Sequence, residues 1–214
     1  MKIIQPSVEI VNPIDYKTML NTVELAIRNC YQSQDKIEEG SAEKIIKNCL
    51  SWNHFSVLEF ADVTVKLVTD RAVLSQLSRQ RLLSLAVQSQ RYCNYAKDRF
   101  GRDISFIEPC GLKTDVAKEA WIFSMKEAEA QYFNLIENHK LPAEVARSVL
   151  PNSTATTIYA KTNVREWRHI FNLRCDSYAQ QDIRWLMNDA LTQMFNLYPV
   201  FFEDLYIKFV KEAY

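Results

Sequence analysis

The chain has 214 residues, with 26 Lys+Arg against 26 Asp+Glu, 48% hydrophobic and 24% charged. This is the composition of an ordinary globular chain, and it excludes collagen, coiled coil and disordered tail. At this length folding removes roughly 70% of the unfolded chain's surface from water, so an apolar core needs no disulfide staples. A formal charge of zero gives no long-range field for a polyanion, which argues against a nucleic acid polymer and leaves a small anion in a local basic pocket.

Taken in chain order, Met1-Lys2-Ile3-Ile4-Gln5-Pro6 lacks the long apolar stretch of a signal peptide. No uncharged apolar run approaches the roughly 18 residues needed to span a bilayer, so no membrane partner is expected. Asp15 to Cys30 carries Met19, Leu20, Val23, Ala26 and Ile27 at helical spacing, and Ser41 is placed as the N-cap of a second helix. The alternation of Asp62-Val63-Thr64-Val65-Lys66-Leu67 predicts a half-buried strand. A helix from Asp70 leads into a polar, Arg-rich stretch. Thr114 to Asn138 reads as a long helix, a short helix follows Pro142 and ends at Pro151, and Thr154 to Thr162 reads as a second strand. From Asn163 the pattern is helical almost to Tyr214. No repeat or linker interrupts it, so residues 1–214 are expected to form a single α+β domain, a small sheet flanked by long helices.

Cys30, Cys49, Cys93, Cys110 and Cys175 are odd in number and widely spaced, with no metal spacing among them. They read as reduced thiols of a cytoplasmic protein. Only Gly40, Gly101 and Gly111 occur, so Gly-rich phosphate loops are excluded and a bound phosphate must be held by side chains.

The densest polar cluster runs from Ser75 to Tyr92. Arg79 and Arg81, two apart, cannot share a helical face, so either the helix ends there or the two guanidiniums address different groups. Planar paired donors suit a phosphate in a glycine-poor site; the plainer alternative is a solvated helix end. In Asn163 to Arg174, Trp167, Ile170 and Phe171 form an apolar face with Asn163 and Arg174 in its middle. An arginine on a buried stripe needs an anion or acceptors, unless the helix frays and the side chain snorkels outward. Arg165 and His169, at i and i+4, share the opposite face and suit a second ligand. His54 precedes the first strand; a lone His is more often structural. No hydrolytic triad, metal spacing or paired carboxylates stand out, which points to a borrowed cofactor.

Together these segments resemble the flavin-dependent thymidylate synthase family over most of the chain, from about Ala26 to Met187. The family's hallmark is Arg-His-Arg, seven residues, then Ser; here Arg79-Gln80-Arg81, seven residues and Ser89 stand in that order. Cys30-Tyr31, His54 to Glu59, Arg91 to Tyr95, Ala146 to Pro151, Asn163 to His169, Asn172-Leu173-Arg174 and Ala179-Gln180 are similar to its other blocks. The resemblance implies a homotetramer with active sites shared between subunits and FAD as cofactor, with NADPH and methylenetetrahydrofolate as co-substrates. Deoxyuridine monophosphate (dUMP) would be converted to thymidine monophosphate. Carried over residue by residue, Gln76, Arg79, Gln88, Ser89, Arg91, Arg147 and Arg174 hold the nucleotide. His54, Arg79, Gln80, Arg81, Asn163, Arg165 and His169 hold or border flavin and folate, and Ser89, Arg174 and His54 are the expected catalytic set.

The departures are specific. Gln80 replaces the central His of the hallmark, Phe60 a His after the Glu, Ala86-Val87 an Asn-Glu pair, and Tyr178 another His. Gln keeps a hydrogen bond but carries no proton charge, and Val87 removes a carboxylate. Three readings therefore stay open: a thymidylate synthase, a paralogue carrying out related one-carbon transfer such as hydroxymethylation on another pyrimidine nucleotide, and an inactive nucleotide- or flavin-binding protein.

Overall fold

A computed structural model describes residues 1–212, the Phe100 side chain excepted. In chain order its elements are β1 (Lys2–Ile4), β2 (Ser7–Val11), α1 (Tyr16–Tyr31), α2 (Ser41–Ser51), β3 (Asp62–Asp70), α3 (Arg71–Leu77), β4 (Ser84–Val87), β5 (Ser105–Ile107), α4 (Asp115–Glu137), α5 (Ala143–Ala146), β6 (Ala155–Asn163), α6 (Val164–Arg174), α7 (Gln181–Leu197) and α8 (Pro199–Tyr206). One sheet has the strand order β2-β3-β6-β4, and β1 pairs parallel with β5, Lys2 opposite Ser105. Short 3-10 turns punctuate the loops, and a π-helical turn, Ile207–Lys211, closes the described chain. Ala213 and Tyr214, the end of the helical run expected from the sequence, lie outside the described residues.

The chain divides into two compact units: Met1–Ser7, Leu67–Arg79 and Leu85–Tyr159 form the first, and Val8–Lys66, Gln80–Ser84 and Ala160–Tyr214 the second. Both are discontinuous in sequence, and β3, β4 and β6 each carry residues of both. Alternation decides which side chains of β3 are buried: Val63, Val65 and Leu67 are interior and the residues between them are half-exposed.

The first unit is built around Tyr95, Ile104, Phe106, Met125, Tyr132 and Ala146. Thr114 caps α4 by accepting from the Ala117 amide at 3.2 Å. Of the helix's 23 residues only Met125 and Tyr132 are buried. The Tyr132 hydroxyl reaches the Tyr95 backbone N–H at 3.2 Å, which ties the loop before Ile104 to the helix.

The second unit is a helical core. Asp15 caps α1 through the Thr18 amide at 3.0 Å, and α1 packs on α2, α6 on α7, and α8 on α2, α6 and α7. Ser41, expected as an N-cap, is instead the first helical residue. Gly40 takes the cap at φ 77, where a residue without Cβ is unstrained. That frees the Ser41 hydroxyl to reach the buried Glu24 carboxylate at 2.6 Å, which also accepts from Arg28. The long helical run after Asn163 is divided at residues 175–180 and at Pro199, where a proline starts α8.

Trp167, Ile170 and Phe171 are fully buried, as their spacing predicts. Trp167 also donates its indole N–H to the Val63 carbonyl at 3.0 Å. The arginine that the core admits, however, is Arg168 and not Arg174. Arg168 forks onto Asp204 of α8 with contacts of 2.7 and 2.6 Å, and donates to the Phe201 carbonyl. Arg174, half-buried, occupies the last turn of α6. The Arg174 Nε is buried, in keeping with its place on the stripe, but periodicity does not single out Arg168, which enters because α8 packs on its flank and supplies the carboxylate there.

Burial works to raise the Asp204 carboxyl, but the hydrogen bonds and charge of Arg168 outweigh it and hold it below its ordinary 3.8. A depressed folded value means that the contribution is complete above the unfolded pKa and is lost as pH falls through the folded one. Asp204→Asn is therefore expected to cost about 2–3 kcal/mol at neutral pH, toward the low end for a broken pair because the carboxylate is partly exposed. The gap between variant and wild type in denaturant unfolding should shrink steadily below about pH 4.

Candidate functional site

In the first unit, a pocket of about 550 Å³ is lined by Arg71, Leu74, Ser75, Ser78, Leu85, Val87, Gln88, Ser89, Gln90 and Arg147. The expected residues Gln88, Ser89 and Arg147 are thus brought together. Arg71 was not anticipated. Asp70 caps α3, accepting from the Val73 amide at 2.7 Å, and sets Arg71 as the first helical residue. One Arg71 nitrogen donates to the Gln88 carbonyl at 2.9 Å, while its Nε is buried without a partner among the described residues. Burial, and then the neighbouring charge of Arg147, work to lower the Arg71 pKa, against opposing effects of Tyr95 and Cys93. An anion seated between the two guanidiniums would relieve both penalties. In sequence Arg71 looks like any charge at a helix start; the Asp70 cap was the available signal.

Gln76, Arg79 and Arg91, also in the first unit, do not line this pocket. Arg91 pairs with the Glu144 carboxylate at 3.0 Å and lies over the Tyr92 ring. The Arg147 Nε donates to the Glu144 carbonyl at 3.3 Å, so one residue of α5 fixes both arginines. The Ser89 hydroxyl accepts from the Arg91 amide at 3.3 Å. Gln76 is half-buried in α3. Arg79 is exposed just beyond Leu77, the last residue of α3, which shows that the helix ends between the candidates.

In the second unit, Asn163, Arg165 and His169 line a pocket of about 530 Å³ with Phe55, Glu59, Leu82, Glu166, Arg168 and Asn172. Asn163 caps α6, its side-chain oxygen accepting from the Glu166 amide at 2.9 Å. With the apolar face of α6 turned inward, Arg165 and His169 face outward together, as their spacing predicts. Arg165 meets the half-exposed Glu59 carboxylate at 2.6 Å. The buried Thr162 hydroxyl donates to the Leu82 carbonyl at 2.6 Å and fastens the segment that follows Gln80 and Arg81. Gln80 is 8% exposed, whereas Arg81 is exposed. Among the described residues neither Arg79 nor Arg81 has a hydrogen-bond or ion-pair partner.

His54 lies at the head of a 3-10 turn, Phe55–Phe60, rather than directly against β3. The end of α2 fixes it: Asn53 takes φ 59, and the amides of Asn53 and His54 donate to the carbonyls of Leu50 and Cys49. This is a Schellman closure. Of the departures from the family pattern, Phe60 is 65% and Tyr178 98% exposed, while Val87 stands in the wall of the first pocket.

Residues 14–200 match the family model described as thymidylate synthase complementing protein. The chain is 34% identical over 190 residues to the flavin-dependent thymidylate synthase of Geobacter sulfurreducens, covering 85% of this chain and 80% of that one. It is 32% identical over 191 residues to the probable flavin-dependent thymidylate synthase of Mycobacterium phage D29, covering 85% and 81%. The chain belongs to the flavin-dependent thymidylate synthase family. Two solved structures share its α+β fold. One is a UMP/dUMP methylase, PolB, from Streptomyces cacaoi bound with 5-Br dUMP, with a TM-score of 0.78, 21% identity, and coverage of 98% of each chain. The other is thymidylate synthase X from Helicobacter pylori with FAD and dUMP, with a TM-score of 0.74, 20% identity, and coverage of 94% of this chain and 99% of that one.

Family membership implies a flavin, and the second unit's pocket fits one chemically. Arg165, His169, Asn163 and Asn172 offer donors and Glu59 and Glu166 acceptors beside the apolar Phe55 and Leu82, a lining suited to a polar heteroaromatic ligand. Among the described residues no group of three or more His, Cys, Asp or Glu is placed to hold a metal ion, and no helix is long and apolar enough to cross a membrane.

Asn163 already serves the fold as a helix cap, so Asn163→Ala should cost about 1 kcal/mol in thermal unfolding. Asn163→Asp, which keeps the acceptor, should recover most of that loss.

Proposed function

We propose that the chain methylates dUMP to thymidine monophosphate, as a cytoplasmic homotetramer that uses FAD, NADPH and methylenetetrahydrofolate. The observation that carries this reading is the first unit's pocket. There a half-buried Arg71, its Nε enclosed without a partner among the described residues, and an exposed Arg147 meet Gln88 and Ser89 with no carboxylate among the lining residues. In this reading Arg71 and Arg147 take the phosphate, with Gln76, Arg79 and Arg91 contributing at its margin. Ser89 and Gln88 fix the nucleotide by neutral hydrogen bonds. Arg174, a donor-only group, favours the acceptor-rich edge of uracil and stabilises negative charge developing on the ring. Arg79, Gln80, Arg81, Asn163, Arg165 and His169 hold the flavin, and His54 borders flavin and folate. When bound, the flavin supplies the reducing equivalents that NADPH provides.

A second reading has its own observation. Val87 lines the nucleotide pocket at the position where the family carries a carboxylate, and Gln80, buried, cannot carry the charge of the family's histidine. The first change alters polarity beside the nucleotide, where one hydrogen bond made or missed changes selectivity by large factors, and the second alters the charge available to the flavin. They favour a related one-carbon transfer or a different pyrimidine nucleotide.

The test is to supply FAD, NADPH and methylenetetrahydrofolate with dUMP, UMP or dCMP, and to weigh the product. Methylated dUMP is expected. A hydroxymethylated product, or turnover of UMP or dCMP in its place, would establish the second reading. A colourless protein that takes up no flavin and forms no product would contradict both.

A further inference from the structure

Two helix ends meet at His54. Its backbone is fixed by the closure of α2, and its ring lies edge-on to Trp52 with centroids 5.9 Å apart. Its Nδ1 is 3.1 Å from the hydroxyl of Tyr31, the last residue of α1 and 23 positions away in sequence. Both side chains are exposed, so the pair does not serve to satisfy a buried polar group. Among the described residues, Nε2 has no partner.

The direction of this hydrogen bond follows from the chemistry of its two groups. A phenol hydroxyl is a better proton donor than the N–H of a neutral imidazole, and a bare imidazole nitrogen is a better acceptor than a phenol oxygen. The bond therefore runs from the Tyr31 hydroxyl to Nδ1, and the nitrogen so occupied determines where the neutral ring keeps its hydrogen. We propose that Tyr31 is a positioning residue that holds neutral His54 in the Nε2–H tautomer, so that the ring offers a hydrogen-bond donor rather than a base to a carbonyl or ring-nitrogen acceptor of the bound heteroaromatic ligand. The use of that donor rests on the reading of His54 as a border residue of the flavin and folate; the tautomer itself does not. Trp52 bounds one side of the ring, and the Schellman closure keeps its Cα in place.

The chain has three histidines, so nitrogen NMR of the ligand-free, 15N-histidine-labelled protein resolves His54 once single His→Gln variants of His139 and His169 assign the others. The expected wild-type spectrum shows a bare, hydrogen-bonded Nδ1 and a protonated Nε2. Tyr31→Phe should move both nitrogens toward free imidazole, in which the tautomers exchange, and lower kcat about fivefold, the equivalent of one ordinary hydrogen bond, with KM for the nucleotide unchanged. A proton on Nδ1 in the wild type, or ring shifts indifferent to Tyr31→Phe, overturns the proposal whatever the turnover. If the shifts move as expected and kcat does not, the tautomer assignment stands and the placement of His54 beside the reacting ligands fails instead.

Discussion

A single buried guanidinium fixes the rotation of α6 about its axis. Arg168 enters the interior only because Asp204 presents two oxygens to its fork and Phe201 a carbonyl. Without those acceptors the helix would have to turn to return the charge to water. With them, the setting is determined: Trp167, Ile170 and Phe171 go inward, and Arg165 and His169 go outward on the opposite side. Asn163 caps the same helix, so the element that orients the second unit's pocket also supplies five of its lining residues, Arg165, Glu166, Arg168, His169 and Asn172, besides the cap itself. The apolar packing sets which stripe is buried, and the ion pair sharpens that choice by making other rotations strand a charge.

The first unit treats its arginines differently. Arg71 is placed by a helix cap and left with a buried nitrogen unmatched, while Arg147 and Arg91 are both steadied by Glu144 without being enclosed by it. A guanidinium that the fold needs for stability is met by a carboxylate, as the fork of Arg168 is by Asp204. One left partly matched at a pocket wall retains hydrogen-bonding capacity for an anion, at a cost to the folded state. The contrast between Arg168 and Arg71 is the physical basis for assigning one to structure and the other to binding.

The sequence foretold what local periodicity and capping control. The helices expected from Asp15 and from Thr114 form, with those two residues as their caps, and the inward stripe of α6 and the shared face of Arg165 and His169 follow from 3.6-residue spacing. β1 and β5 did not, because strands of three residues show no usable alternation and their pairing joins positions about a hundred residues apart. Ser41 was misread because a glycine beside it could adopt the left-handed cap. Arg168 was not singled out because helical phase says which residues approach a core, but not which neighbouring element carries the carboxylate that lets a charge enter. The family blocks supplied the ligand assignments; of those residues Gln88, Ser89 and Arg147 line one pocket and Asn163, Arg165 and His169 another, a separation that spacing alone does not show.

That division of labour is the central claim, and paired calorimetry of two exposed-arginine variants tests it most directly. In flavin-free protein, Arg147→Ala should weaken dUMP binding about tenfold or more, the loss of a charge-assisted contact, and leave FAD uptake within twofold of wild type. Arg165→Ala should do the reverse. Equal losses of both ligands in both variants, or nucleotide affinity unmoved by Arg147→Ala, would contradict the assignment of the first unit's pocket to the nucleotide and the second's to the flavin.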